Sequence, residues 1–223
     1  MEEQRLKRTA TVGITTLCLA VVAPIGTAVA AGKGAVWQMD ESSGATVMRD
    51  SSGNDNHGKI PSGVAPGGGV FTFKGTSRVQ VPHDTTLNPG SADFSFSARV
   101  KRTGGDEDPN IIQKGQTDAP GGYYKIDYYN GRVNCKLVGS SGYKTLVVSA
   151  NISDGKFHTI RCTKTATKVR LDVDPGTTIA KSSAVGVTIG SIANIKPLTI
   201  GGKINCTSCD FFTGQMQWAR VDI

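Results

Sequence analysis

The chain carries its clearest structural pattern at residues 123–138, which read YYKIDYYNGRVNCKLV. Apolar and polar side chains alternate on both sides of Asn130-Gly131. This dipeptide is typical of a two-residue hairpin turn, because both residues tolerate a positive φ. Since successive side chains of a strand point to opposite faces, the stretch predicts two antiparallel strands with one apolar face. Tyr124 and Tyr128 are expected on that face.

Short alternating runs of this kind recur along the chain, separated by Gly, Asn, Asp and Pro. No window has the 3.6-residue apolar period of an amphipathic helix. The predicted strands are Ala35–Asp40, Val70–Lys74, Arg78–Val81, Phe94–Lys101, Tyr123–Tyr129, Arg132–Val138, Tyr143–Ser149, Lys156–Thr163, Lys168–Asp174, Pro197–Ile200 and Met216–Ile223. So many short strands without helices predict an all-β fold, a sandwich of two antiparallel sheets in a single domain.

Residues 1–30 have the composition of a secretory signal peptide. Three basic residues among the first eight precede a long uncharged run, and Ala28-Val29-Ala30 matches the small-x-small motif that signal peptidase accepts. Cleavage is expected before Ala31, which predicts an extracellular, secreted domain over residues 31–223. A permanent membrane anchor is the alternative, and Pro24 near the end of the run argues against it.

Four cysteines remain after the predicted cleavage: Cys135, Cys162, Cys206 and Cys209. An even number in an exported chain predicts disulfide bonds. Three pairings are possible, but Cys135 and Cys162 both occupy the apolar phase of their predicted strands. This favours an interior Cys135–Cys162 bond, with a Cys206–Cys209 bond closing a short loop. The spacing of the second pair also occurs in redox proteins, but no helix is predicted there to activate the first thiol.

Several motifs in register along residues 34–223 resemble one protein family. They are Trp37–Gly44, Asp50–Gly58, Phe71–Gly75, Val79–Pro82, Leu87–Gly90, Asp93–Lys101, Asp154–Cys162, Ile200–Lys203 and Phe212–Met216. Their order is similar to that of laminin G-like domains of the concanavalin A-like lectin/glucanase superfamily, in the form of bacterial secreted proteins. The resemblance implies a jelly-roll sandwich of two curved sheets. It also implies an exported binding or adhesion module.

The sequence departs from this family at positions that concern calcium. Some relatives bind calcium through carboxylates, but Lys74 and Gln217 stand where acidic residues are common. The loop Asp50–Gly58 is rich in Asp and Asn, yet it lacks the terminal glutamate of an EF-hand. Its side chains are expected to bond to the backbone of the loop itself. No cofactor and no metal site are therefore predicted, with calcium as the alternative.

The scarcity of glutamate argues against an enzyme. Glucanases of the same fold group use two glutamates around an aspartate, and only Glu41 and Glu107 remain after residue 30. Asp127 has no second carboxylate two residues away, and the acidic run 106–108 is expected to be a solvated loop. His158 is expected to be an imidazole hydrogen-bonded within the sandwich, since no G-x-S-x-G elbow accompanies it. A non-catalytic domain is predicted, with a glycoside hydrolase as the less favoured alternative.

Two features point to a ligand. All five tyrosines lie between residues 123 and 143, and three of them are expected to face outward or to lie at a rim. Aromatic planes beside polar groups suit sugar rings. The predicted ligand-binding residues are Tyr123, Lys125, Asp127, Tyr129 and Tyr143. Residues 125–170 also hold nine lysines and arginines against two aspartates, which predicts a basic surface on one group of neighbouring strands.

The predicted function is that of a secreted, monomeric binding module for carbohydrate or an anionic cell-surface polymer. An extracellular protein-adhesion domain without a sugar site is the alternative. Lysines on solvated strand faces, which deter edge pairing, explain the charge equally well. Nucleic acid is not expected as a partner, because export removes the protein from it. Nor is membrane insertion expected after cleavage, since no later stretch is long and apolar enough.

Overall fold

The computed structural model describes residues 32–105, 108–176, 180–206 and 210–223. In these ranges the chain forms sixteen strands and one 3₁₀ turn, Thr85–Leu87. The strands are β1 Gly34–Trp37, β2 Val47–Met48, β3 Gly58–Lys59, β4 Val64–Gly67, β5 Val70–Lys74, β6 Val79–Val81, β7 Phe94–Gly105, β8 Asn110–Lys114, β9 Tyr123–Tyr129, β10 Arg132–Gly139, β11 Gly142–Ser149, β12 His158–Lys164, β13 Lys168–Val173, β14 Ala180–Val185, β15 Leu198–Ile200 and β16 Phe212–Asp222. The predicted signal peptide lies outside the described residues and stays a prediction.

The strands form two antiparallel sheets. The β7 sheet has the order β14-β13-β12-β7-β16-β5-β4, and β1 pairs with β16 beside this path. The β9 sheet has the order β11-β10-β9-β8-β15-β6-β3-β2. Strands that are neighbours in a sheet but distant in sequence, such as β7 and β16, require connections that cross between the sheets. The predicted all-β, two-sheet jelly-roll sandwich is confirmed, and no helix of the described ranges has the length and apolarity to cross a membrane.

The core lies between the two sheets and is continuous. Phe94 and Phe96 of β7 pack against Tyr124 of β9, with ring centroids 5.3 and 4.8 Å apart. Cys135 of β10 and Cys162 of β12 are fully buried and disulfide-bonded. This bond joins the two sheets through the core, so the pairing that strand phase favours is confirmed. Cys206 is also disulfide-bonded, and its predicted partner, Cys209, lies outside the described residues.

Every predicted strand is present, β5 and β9 with the predicted ends and the others with shifted ends, but β2, β3, β4, β8 and β14 have no counterpart in the prediction. The omission of β8 matters most, because β8 lies at the centre of its sheet beside β9. All five of its residues are buried, so it lacks the alternation that marks a strand with one solvated face. The omitted β4 contains Pro66 and lies at a sheet edge, where proline is tolerated.

The loop Asp50–Gly58 is tied by its own polar groups, as predicted. The buried carboxylate of Asp50 accepts four hydrogen bonds of 2.8–3.1 Å, from the backbone N–H groups of Val36, Ser52 and Asn56 and from Ser52 Oγ. The indole of Trp37 donates to the carbonyl of Asn56 at 2.7 Å. Four donors occupy the lone pairs of both carboxylate oxygens. The Asp50 carboxylate therefore closes the loop and has no acceptor capacity left for a cation.

Candidate functional site

A cleft opens on the outer face of the β9 sheet, across the hairpin of β9 and β10. Its volume is about 270 Å³, and it is lined by Asp108, Lys125, Asp127, Tyr129, Asn134, Lys136 and Thr145. We call it the β9–β10 cleft. Strand register explains its composition, because Asp127 pairs with Asn134 and Lys125 pairs with Lys136. Polar side chains from neighbouring strands thus stand side by side on one face.

The carboxylate of Asp127 is fixed within this cleft. Asp127 is buried, with 5% of its surface exposed. Asn134 Nδ2 donates to its Oδ1 at 2.8 Å, and the Lys125 ammonium forms an ion pair with its Oδ2. The ion pair compensates a charge that would be costly to bury alone. Since a carboxylate offers about four acceptor positions, Asp127 retains capacity for a ligand hydroxyl.

The connection between β7 and β8 brings a second carboxylate, Asp108, to the same cleft. Asp108 is half-buried rather than solvated, so the expectation of a solvated acidic loop is wrong for this residue; residues 106 and 107 lie outside the described ranges. Burial raises the pKa of the Asp108 carboxyl, and the charge of Asp127 raises it further. The ammonium groups of Lys125 and Lys203 act in the opposite direction. Asp108 therefore takes up a proton more readily than a solvated aspartate.

The tyrosines divide between core and surface differently from the prediction. Tyr124 and Tyr128 are buried, as predicted, and Tyr129 lines the cleft with 50% of its surface exposed. Tyr123 is expected from the sequence to face outward or to lie at a rim, and the exposure that this implies is wrong. Tyr123 is 2% exposed, and the ammonium of Lys136 lies 5.7 Å from its ring centroid. Tyr143 is 73% exposed but does not line the cleft.

The structure thus brings together three of the five predicted ligand-binding residues, Lys125, Asp127 and Tyr129. The sequence-based set omits Asp108, Asn134, Lys136 and Thr145, which complete the cleft. Asn134 and Lys136 on β10 could have been found from the sequence, because a two-residue turn at Asn130-Gly131 fixes the register of the hairpin and so places them opposite Asp127 and Lys125. Asp108 has no such signal, since only the three-dimensional path of the β7–β8 connection places it beside β9.

The basic residues between positions 125 and 170 do not form one surface. Three lie on the outer face of the β9 sheet: Lys125, Arg132 and Lys136. Three lie on the outer face of the β7 sheet: Arg161, Lys168 and Arg170. The Lys164 ammonium is buried and donates to the carbonyls of Ser91 and Ala92. The prediction of one basic surface is wrong, because the chain changes sheet between β11 and β12.

The histidine on β12 is held between two carboxylates. His158 Nδ1 lies 2.7 Å from Asp174 Oδ2, and Nε2 lies 2.9 Å from Asp154 Oδ1. Burial lowers the pKa of the imidazole, but the hydrogen bonds to Asp154 and Asp174 outweigh this and raise it overall. The arrangement matches the predicted hydrogen-bonded structural imidazole. In the described part of the chain, no cluster of three or more His, Cys, Asp or Glu side chains is suited to hold a metal ion.

The two-sheet sandwich agrees with the family that the sequence matches. Residues 73–221 match the profile of Laminin_G_3, described as the Concanavalin A-like lectin/glucanases superfamily. The match covers more than half of the 223-residue chain. The chain belongs to this family, and the resemblance noted in the sequence is confirmed. No match was found among curated proteins.

Three solved structures illustrate the shared fold. Domains LG4-5 of the mouse laminin alpha1 chain are 16% identical, with a TM-score of 0.52, over 67% of this chain and 40% of that chain. The binding domain of botulinum neurotoxin serotype D is 14% identical, with a TM-score of 0.61, over 86% and 47%. A Trypanosoma rangeli sialidase in complex with sialic acid is 13% identical, with a TM-score of 0.60, over 84% and 30%. The chain spans less than half the length of each structure, and the likeness shows the fold alone.

Proposed function

We propose that this chain is an extracellular, non-catalytic binding module that recognises carbohydrate or an anionic cell-surface polymer in the β9–β10 cleft. One observation carries the proposal: half-exposed Tyr129 stands beside the polar groups of Asp127, Asn134 and Lys136 in one cleft. An aromatic plane with a few fixed polar groups is typical of small-molecule and sugar sites. The solved structures of similar fold that are described as binding domains add support.

Each group of the cleft has a distinct task in this proposal. The ring of Tyr129 packs against the C–H face of a sugar, and Asp127 accepts a hydrogen bond from a hydroxyl group. The ammonium of Lys136 forms no ion pair with the described residues, so it attracts a carboxylate, sulfate or phosphate. Because Asn134 and Lys125 already hold Asp127 in place, binding loses little side-chain entropy there.

The extracellular setting rests on the chemistry of the cysteines and on the predicted leader. The disulfide bond between Cys135 and Cys162 is of a kind that persists in oxidising compartments. Cleavage of residues 1–30 would release a monomeric domain. No metal and no nucleic acid takes part in the proposed recognition, since an aromatic ring, an amide, a carboxylate and an ammonium supply every contact.

A glycoside hydrolase is the second candidate, and the pair of Asp108 and Asp127 favours it. Such enzymes need one protonated carboxyl as acid and one ionised carboxylate as nucleophile or base. Both aspartates line the cleft, and burial raises the pKa of Asp108. Product release separates the candidates, because an enzyme releases products that disappear in Asp108→Asn, whereas a non-catalytic module releases none from the parent protein. Product release from a broad set of polysaccharides, with Asp127→Asn as a second control, is the measurement.

A glycan array, probed with the purified protein at low and physiological salt, tests the binding proposal. We expect saturable binding to at least one saccharide or anionic polymer. This binding is weakened in Tyr129→Ala and kept in Tyr143→Ala, which removes an exposed tyrosine outside the cleft. Equal loss in both variants, or no binding at low salt, contradicts the proposal. Capture of an envelope protein without any glycan binding favours the protein-adhesion domain instead.

A further inference from the structure

The outer face of the β7 sheet carries a half-buried tryptophan, Trp218. In β16 the register against β7 shifts between Met216 and Trp218. This bulge places Gln217 and Trp218 together on the outer face of the β7 sheet, while Met216 and Ala219 face the core. Such bulges re-aim side chains and accompany functional positions. The other tryptophan, Trp37, is fully buried, so Trp218 is the indole that a ligand can reach.

The bulge is held in place by Arg99, which forms no ion pair with the residues that the structure describes. Arg99 Nε donates to Gln217 Oε1 at 2.6 Å, and Arg99 Nη1 donates to Thr159 Oγ1 at 3.3 Å. Gln217 thus ties β16 to β7 at the bulge through its side-chain oxygen. Because neutral partners hold this guanidinium, its positive charge is not cancelled on this face.

Two further arginines stand on either side of the tryptophan position. Arg161 of β12 and Arg220 of β16 both pair with Ser97 of β7, so their backbones are two strand spacings apart, about 10 Å. Ser97 is fully buried between them, and its Oγ has no hydrogen-bond partner in the described residues. The register therefore places an arginine on each side of an unpaired hydroxyl; the Arg220 guanidinium is bound to Asp222, which leaves Arg161 as the arginine for a ligand.

Arg161 is left without a counter-charge by the local ion pairing. Asp172 lies opposite Arg161 in β13, but Arg170 binds the Asp172 carboxylate with Nε and Nη2 at 2.7 and 2.6 Å. Arg161 itself is exposed and forms no hydrogen bond or ion pair with the described part of the chain. A guanidinium in this state is suited to bidentate binding of a carboxylate or sulfate.

A cavity of about 250 Å³ opens beside Trp218. It is lined by Val36, Gln38, Arg161, Trp218, Ala219 and Arg220. We propose that it is a second ligand site, which binds an acidic sugar. The indole of Trp218 packs against the apolar face of the sugar ring, and Arg161 binds its carboxylate or sulfate. The site shares no residue with the β9–β10 cleft and lies on the other sheet, so its existence does not depend on the proposed function.

Intrinsic tryptophan fluorescence tests the site directly, because buried Trp37 supplies a constant background. The purified protein is titrated with a heparin-derived tetrasaccharide, with trigalacturonate, with neutral maltotriose and with polyglutamate. We expect a saturable change of emission with at least one acidic saccharide, a weaker one or none with maltotriose, and loss of the change in Trp218→Phe. Trigalacturonate carries carboxylates alone and the heparin fragment carries sulfates as well, so a response to the heparin fragment without one to trigalacturonate assigns the sulfate.

Arg161→Gln and Arg170→Gln form a matched pair of variants on the same face, since both remove one exposed guanidinium from neighbouring strands. We expect Arg161→Gln to raise the Kd about tenfold or more, and Arg170→Gln, whose guanidinium is already bound to Asp172, to change it much less. Equal weakening by both variants shows charge attraction alone and overturns the site. A response to polyglutamate without one to any acidic saccharide overturns the sugar assignment. The absence of any saturable change of emission at low salt overturns the proposal. The β9–β10 cleft is tested independently by the glycan array, so the two proposals can fail separately.

Discussion

Asp50 and Asp127 are both buried aspartates, with 8% and 5% of their surfaces exposed, but their carboxylates have different partners. Asp50 accepts four hydrogen bonds, three of them from backbone N–H groups of its own region. Asp127 has one amide and one ammonium as partners, and it lines an open cleft. The Asp50 carboxylate is fully bonded within the fold, whereas the Asp127 carboxylate can still accept a hydrogen bond from a ligand.

Polar density alone therefore does not identify a binding site in this fold. The Asp50–Gly58 loop has the more suggestive sequence, with Asp, Asn, Ser and His in nine positions. Its polar groups nevertheless satisfy one another and the nearby backbone, so the loop is a structural tie. The β9–β10 cleft combines partly satisfied groups with the half-exposed ring of Tyr129, and this combination is what a ligand can use.

The largest effect is expected from Asp50→Asn. The substitution keeps the shape of the side chain but replaces one accepting oxygen with a donor, which faces N–H groups that then lack a partner. We expect a loss of about 3 kcal/mol in the free energy of unfolding, measured by urea denaturation. Asp55→Asn is the matched control, because the Asp55 side chain of the same loop is 91% exposed. A comparable loss in both variants contradicts the structural role of Asp50.

The next effect concerns the cleft and should leave stability nearly unchanged. Tyr129→Ala removes the aromatic plane, and we expect the Kd for a saccharide found on the array to rise about tenfold, or about 1.4 kcal/mol. Calorimetric titration measures the affinity, and circular dichroism checks the fold. Tyr143→Ala, outside the cleft, is expected to bind like the parent protein. If the two variants lose affinity equally, the exposed tyrosines do not mark a site.

A smaller effect on stability is expected from a change of pH. Unlike those of Asp50 and Asp127, the carboxylates of Asp154 and Asp174 are bound to a titratable imidazole, that of His158. Its pKa is raised in the folded state, so its contribution to stability is fully present below about pH 6.5 and is lost as pH rises through the folded pKa. The pKa of Asp154 is lowered, chiefly by the hydrogen bond with His158. Its contribution is therefore present above about pH 4 and is lost as pH falls.

Thermal unfolding between pH 5 and pH 8 measures this contribution. We expect the melting temperature of the parent protein to fall across this range more steeply than that of His158→Gln, which has no imidazole to titrate. Identical slopes for the two proteins would show that the bonds of His158 to Asp154 and Asp174 do not couple protonation to folding.

The smallest effect is expected from removal of metal. Asp50 has no free acceptor position, and Asp127 is already compensated by Lys125. We therefore expect a chelator to leave both the melting temperature and glycan binding unchanged. A clear drop in either quantity after dialysis against EDTA, restored by added calcium, would show that the protein binds calcium.

The successes of the sequence-based prediction have a common physical origin in side-chain alternation. Cys135 and Cys162 fall on the apolar phase of strands that have one solvated face, so their burial and pairing follow from a period of two. The internal bonding of Asp50–Gly58 also follows from local chemistry, because Asp and Asn side chains bond to nearby backbone groups. Both conclusions depend on neighbours in sequence.

The failures depend on neighbours in space. β8 is buried at every position and so carries no alternation to detect. Tyr123 has the phase of an outward residue, yet it is buried where the Lys136 side chain lies over its ring. Asp108 lies beside β9 although it follows β7 in the sequence, and the bulge that turns Trp218 to the outer face appears only in the pairing of β16 with β7. No local pattern contains this information.

The most direct test of the β9–β10 cleft is an NMR titration of isotope-labelled protein with a saccharide selected on the array. We expect the largest chemical-shift changes on the Asn134 side-chain amide, on Lys136 and on the ring of Tyr129. The Asn56 amide in the closed loop should not move. Shifts confined to the loop around Asp50, with none at Asn134, would contradict the account.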